Sequence, residues 1–207
     1  MFPVIALSIL VTACASQIPN AKPMPVGSVV RAPSGFIDFC MREHGACTEV
    51  SNATGAITAA AVADEKVALT PERWQQLNGI NENVNQSVRP LTDMQQFGTP
   101  EYWQVATTAG DCEDYALLKR KQLLQLGWPV EALTLATARN RFGELHAVLI
   151  VGTDHGDFVM DNATNFVQAW NDTPYQWVSR QDPLTPLTWH RAGVGENMTV
   201  TAALPGQ

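Results

Sequence analysis

A chain of 207 residues with 45% hydrophobic and 16% charged residues can build one domain with a real core, and its composition excludes a disordered protein. Its 13 basic and 20 acidic residues leave a formal charge of −7, which repels phosphate backbones. No basic run is present to grip nucleic acid, so the charge argues against a nucleic-acid-binding role.

Residues 2–11 are almost wholly apolar and are followed by Thr12, Ala13, Cys14, Ala15 and Ser16. About ten apolar residues suit the core of an export signal and are too few to span a bilayer, so residues 1–16 read as a signal, although no Lys or Arg precedes the run. Val11 to Cys14 also resembles a lipobox, in which Cys14 would carry lipid; ordinary signal-peptidase cleavage is the other reading, and both stay open. Either implies a periplasmic location, soluble or lipid-anchored. Residues 17–34 contain Pro19, Pro23, Pro25 and Pro33 and few large apolar groups, so they read as a linker, with the folded domain expected over residues 35–207.

Residues 36–42 are expected as a short helix ending at Gly45. Cys40 and Cys47 flank that break. In an unbroken helix seven residues would separate them by about 10.5 Å, but a turn at Gly45 lets them approach and pair as a disulfide in an oxidising compartment. An Ala-rich helical stretch is expected over residues 54–77, with a helix start at Thr70 and Pro71, and with Trp74 and Leu77 facing the core. Residues 78–88 either continue or break it, and residues 89–108 read as irregular. The strongest helix runs over residues 112–126 and stops at Gly127 and Pro129. Ala116, Leu117, Leu123 and Leu124 form its buried stripe, with Lys119, Arg120 and Lys121 expected on the solvated side. Strands follow at residues 132–138, 145–151 and 158–161, with weaker ones at 176–179 and 187–189. Helices followed by an antiparallel sheet define an α+β fold rather than alternating βαβ units.

Cys112, an unpaired cysteine in an exported chain, opens the best helix. Unpaired N–H groups and the positive end of the macrodipole there favour a thiolate and can hold an oxyanion, although a free cysteine is more often a small buried hydrophobe. His146 lies in an apolar strand and shares a face with Val148 and Ile150. Asp161 ends the next strand. A four-residue loop over 152–155 sets His146 directly opposite Asp161, and any even-numbered loop keeps the two on one face. An acid beside an imidazole fixes its tautomer and stabilises its cation, as activation of a cysteine requires. His44, His155 and His190 are weaker candidates.

The block Gly110-Asp111-Cys112-Glu113-Asp114-Tyr115-Ala116 resembles the signature of the bacterial transglutaminase-like cysteine proteinases, the LapG-type periplasmic proteases. Phe36 to Cys40 and on to Cys47, Trp74, Asn83-Val84-Asn85, Tyr102-Trp103 and Asp161-Asn162 are similar too, so the resemblance covers residues 35–190. It implies a papain/transglutaminase-like fold and a Cys112–His146–Asp161 triad hydrolysing peptide bonds. The substrate it implies is the N-terminal region of a large surface adhesin, with control by an inner-membrane cyclic-di-GMP receptor. Three carboxylates beside a thiol, Asp111, Glu113 and Asp114, would raise its pKa, and a bound Ca²⁺ would offset them; Asp93 is a further candidate oxygen ligand. The plainer reading is that these acids only stabilise the helix terminus. Two rivals remain: a transglutaminase-type crosslinking enzyme with the same triad, and a non-catalytic calcium-binding envelope protein.

Overall fold

The structure, a computed structural model, describes residues 18–47 and 66–193. The expected export signal with Cys14, and the part of the Ala-rich stretch before residue 66, lie outside the described residues.

The helices come first and the sheet after, as an α+β chain requires. Helix α1 (Ser34–Arg42) is amphipathic, with Phe36, Phe39 and Cys40 buried. A single 3₁₀ turn, His44–Ala46, then reverses the chain, and Cys40 and Cys47 are disulfide-bonded across it with Cα atoms 5.5 Å apart. Helix α2 (Pro71–Ser87) starts where Thr70 accepts the Arg73 N–H on its side chain, a cap contributing about 1 kcal/mol, with proline in the first turn. It continues through the Asn-rich segment, burying Leu77, Ile80, Asn81 and Val84. Helix α4 (Cys112–Gln125) packs against both α2 and the sheet.

The sheet has seven strands, β1 (Val26–Val30), β4 (Leu133–Arg139), β5 (Leu145–Thr153), β6 (Gly156–Met160), β7 (Gln168–Ala169), β8 (Gln176–Gln181) and β9 (Trp189–Ala192), in the order β1-β9-β8-β4-β5-β6-β7 with every pairing antiparallel. Strands β2 (Arg89–Pro90) and β3 (Ala109–Gly110) form a separate parallel pair ahead of α4. The unbroken apolar run of β5 reflects burial on both faces. Leu149, Val151, Phe158 and Met160 meet the helices in the main core with Phe36, Leu77, Leu123 and Trp189. Val148, Ile150 and Val159 face the other way, toward Met24, Ala136 and Ala192, with Trp170, Tyr175 and Trp177 packed against them.

Three expectations are corrected. The linker reading of residues 17–34 fails at β1, which pairs with β9, Val26 opposite Ala192 and Val30 opposite Trp189. Prolines at 25 and 33 bracket this edge strand instead of excluding it, since an edge tolerates a missing donor. Residues ahead of it are tied down too: Ala21 donates its N–H to the His155 carbonyl (2.7 Å), and the Met24 N–H bonds Asp157 (2.7 Å). At Gly156, φ +104°, a Cβ would come 2.3 Å from the Ala21 carbonyl oxygen, so the chain crossing requires glycine.

The second correction concerns α4, which is covered on more than one side. Ala116, Leu117 and Leu123 are buried and Lys121 is exposed as expected, but Lys119 and Arg120 are buried and Leu124 is exposed. Arg120 satisfies its guanidinium on the Leu133 and Ala46 carbonyls (3.0 and 3.4 Å). The third concerns the β5–β6 turn, which has two residues, Asp154 and His155, rather than four. The register therefore shifts by two.

Candidate active site

That shift decides how His146 and Asp161 meet. Thr153 pairs with Gly156 and Leu149 with Met160, so continuing the ladder sets Asp161 opposite Val148 rather than His146. The side-chain period of two preserves the shared face, and the two groups meet diagonally. His146 Nε2 lies 2.8 Å from Asp161 Oδ1. Asp161 stands just past the end of β6 and is 3% exposed. Its Oδ1 also accepts the Ala163 N–H (2.9 Å), and its Oδ2 accepts the Tyr175 hydroxyl. Burial alone would raise its pKa, but the bonds from His146, Ala163 and Tyr175 outweigh this and hold the carboxyl below the usual range. An ionised Asp161 can only accept, so Nε2 carries the proton of the neutral imidazole and Nδ1 is left as the acceptor.

Cys112 enters from the opposite layer, as the first residue of α4. Its Sγ accepts the N–H of Ala147 (3.4 Å), the residue after His146, so the thiol lies against the histidine strand. The thiol donates to Glu113 Oε2 (3.1 Å). Burial, the Glu113 charge and Asp111 together push the Cys112 thiol well above its ordinary range. Cys112 is thus held as a thiol that donates its hydrogen bond to Glu113.

The acids around it divide. Asp93, Asp111 and Glu113 each bring a carboxylate oxygen within 4.8 Å of the others. Asp93 is held there by helix α3 (Asp93–Phe97), whose Thr92–Gln95 capping box fixes the turn. Asp111 occupies the N-cap of α4 but makes no capping bond; its Oδ2 accepts the Asp93 N–H (3.1 Å). Asp114 stands outside this trio. Its Oδ1 accepts the Gln104 N–H (2.9 Å), and it fills the space a Cβ on Gly110 would need, 2.6 Å away. One oxygen on each of Asp93, Asp111 and Asp114 is buried without a partner among the described residues. Burial and the Asp111 charge push Glu113 up to about 8, and burial pushes Asp114 up to about 7. Acids that only stabilised a helix end would sit in solvent, whereas Asp93, Glu113 and Asp114 are buried and Asp111 is half-buried. Oxygen donors with orphaned lone pairs fit a hard divalent cation.

Two residues near Asp161 escaped the sequence reading. Tyr175, beside β8, bonds Asp161, and nothing in its local pattern announces this. Lys119 is fully buried, with no hydrogen-bond partner for Nζ among the described residues; burial brings it down to about 7 while the Asp161 charge opposes that. The other histidines stand apart: His44 on the 3₁₀ turn, His155 at the β5–β6 turn, and His190 bonded to Asp182 (3.2 Å). A cleft of about 410 Å³ lies beside the His146–Asp161 pair, lined in part by Arg141, Phe142, Asp161, Thr164, Gln168 and Tyr175.

A cysteine opening a helix that packs on an antiparallel sheet, next to a bonded His–Asp pair on that sheet, is the arrangement of the transglutaminase-like proteinases. The chain belongs to that family: the family described as bacterial transglutaminase-like cysteine proteinase (BTLCP) matches residues 26–197. No curated protein matches the chain. Among solved structures, calcium-bound LapG of Legionella pneumophila is similar at 22% identity, over 52% of this chain and 64% of that one, with a TM-score of 0.45. The EGTA-treated LapG of the same organism is similar at 23% identity, over 52% and 62%, with a TM-score of 0.45. The chain thus spans less than two thirds of the length of those proteins.

Proposed function

We propose that this protein is a periplasmic, calcium-dependent cysteine endopeptidase that cuts the N-terminal region of a large surface adhesin, with Cys112 as nucleophile, His146 as base and Asp161 as orienting acid. The observation that carries this reading is the convergence of three elements: the His146–Asp161 bond of 2.8 Å on the sheet, and the Cys112 thiol against the Ala147 N–H at the start of α4. Asp161 holds Nε2–H, so Nδ1 takes the thiol proton. The thiolate attacks the scissile carbonyl, and unpaired N–H groups in the first turn of α4 receive the oxyanion. His146 then protonates the leaving amine and deprotonates the water that hydrolyses the thioester. The cleft beside the pair offers room for peptide side chains.

Asp93, Asp111 and Glu113 are the residues that would hold Ca²⁺, with Asp114 fixing the neighbouring loop. Bound calcium supplies the positive charge that offsets these carboxylates next to the thiol. Glu113 engaged by a cation no longer competes with His146 for the thiol proton. Export rests on the apolar segment at residues 2–11, and control by an inner-membrane cyclic-di-GMP receptor rests on the family resemblance.

The test is incubation of the wild-type and Cys112→Ala proteins with an N-terminal adhesin fragment in Ca²⁺ or chelator, read by mass spectrometry. Cleavage by the wild type in Ca²⁺ alone is expected. Cleavage by Cys112→Ala overturns the nucleophile, and Gln–amine isopeptides in place of cut fragments make the protein a crosslinking enzyme.

A further inference from the structure

We propose that Tyr175 is the positioning residue of the His146–Asp161 pair: its hydroxyl fixes the second oxygen of Asp161 while its ring braces the imidazole. This rests on the reading of Cys112, His146 and Asp161 as the reacting triad. Asp161 Oδ1 is already engaged twice, by His146 Nε2 and by the Ala163 N–H, whereas Oδ2 is held by the Tyr175 hydroxyl. A carboxylate turns readily about its terminal bond, so two donors on one oxygen leave its plane poorly defined, and a donor on the other oxygen defines it. Without that hydroxyl, a buried anionic oxygen would lose its donor next to the imidazole it must orient.

The same side chain restrains the partner. Its ring lies 5.4 Å from the His146 ring, tilted by 51°. Tyr175 is itself held edge-on by Trp177 at 5.8 Å, and Trp177 by Trp170 at 6.5 Å. An aromatic row on the sheet face away from the helices therefore ends on the histidine. Burial and the Asp161 charge raise the Tyr175 phenol above its ordinary range, so it stays a donor wherever the pair works. Tyr175 also lines the cleft beside the pair, so the residue that sets the acid's orientation forms a wall of the space a peptide would enter.

Tyr175→Phe isolates the hydroxyl, because the ring and its Trp177 contact remain. The rate at which iodoacetamide alkylates Cys112 is measured, with the site mapped by mass spectrometry, in four proteins: wild type, Tyr175→Phe, Asp161→Ala and the double variant. Turnover of the adhesin fragment and the melting temperature are measured alongside. The expected result is a loss of about tenfold or more in kcat for Tyr175→Phe, the scale of one hydrogen bond to a charged group, with KM little changed and the melting temperature lowered by several degrees but still well above the assay temperature. In the Asp161→Ala background the same substitution should change the alkylation rate no further, since no carboxylate remains to be positioned. An equal loss in both backgrounds, or a fall in melting temperature that accounts for the lost activity, makes Tyr175 a packing residue and overturns the proposal. Full activity in Tyr175→Phe with an inactive Asp161→Ala also overturns it and leaves the triad standing, whereas normal activity in Asp161→Ala overturns the triad itself.

Discussion

Two groups of acids lie in the site, Asp161 on the His146 side and Asp93, Asp111 and Glu113 on the Cys112 side, and they are satisfied in opposite ways. Asp161 has three donors and is held ionised below the usual carboxylate range. Asp93, Asp111 and Glu113 crowd within 4.8 Å of one another, and Asp93 and Asp111 each keep a buried oxygen without a partner among the described residues. Glu113 responds by moving up to about 8. Burial raises Asp93, Glu113 and Asp161 alike; in Asp161 the donated bonds outweigh it, and in Asp93 and Glu113 they do not. An acid supplied with donors by its own chain is stable as an anion, whereas acids left facing one another are stabilised either by protonation or by a cation.

The largest expected effect breaks the comparison on the donor-rich side. Asp161→Ala should lower kcat on an adhesin fragment by about 10²–10⁴-fold, and no concentration of calcium should restore it. Recovery with added calcium would show that Asp161 belongs functionally with the other acids. Chelation comes next: EGTA should remove activity and calcium return it, with Glu113→Gln needing far more calcium than the wild type, as titration calorimetry would show. Full activity in EGTA would mean the trio is electrostatically self-sufficient. Calcium at about 100 times its Kd should raise stability by about 2.7 kcal/mol, a rise of about 5–10 °C in melting temperature.

The pH dependence sharpens the contrast further. Glu113 and Asp114 have folded pKa values raised to about 8 and about 7, so the folded chain binds their protons more tightly than the unfolded chain. Their contribution is fully present below the ordinary carboxylate range and is lost as pH rises toward 8. Metal-free protein should therefore melt at progressively lower temperature from pH 5 to pH 8, and calcium should flatten that slope. Asp161 runs the other way: its depressed pKa contributes stability above the ordinary range that is lost as pH falls through the folded value. The smallest effect is expected at Asp114→Asn, which keeps the acceptor for Gln104 and removes an unfavourable charge. The metal-free protein should melt within a few degrees of the wild type or slightly above it, with calcium affinity nearly unchanged. A large loss of affinity would return Asp114 to the ligand set.

The helix at Cys112 and the strands through His146 and Asp161 were legible because local signals agree: a continuous apolar strand, a glycine and proline stop, and a side-chain period of two that survives a wrong loop length. The hairpin has two turn residues where four were expected, yet His146 and Asp161 still share a face. What stayed hidden depends on contacts distant in sequence. Lys119 and Arg120 look solvated on a helical wheel, but both are buried, Arg120 on the distant Leu133 and Ala46 carbonyls. β1 hides between prolines because an edge strand is defined by its partner, β9. Tyr175 reaches Asp161 across a separation of 14 residues with no motif to mark it. The Thr92–Gln95 capping box is a local signal inside a segment that otherwise reads as irregular, and it starts the short helix that carries Asp93.

The most direct test of the central claim is the rate of Cys112 alkylation by iodoacetamide in calcium, compared between the wild type and His146→Ala with the Cys40–Cys47 disulfide intact. A thiol whose proton passes to His146 should react about 100-fold faster in the wild type than in His146→Ala, and chelator should bring the wild type down toward the variant. Equal rates in the two proteins, in calcium, would contradict the triad.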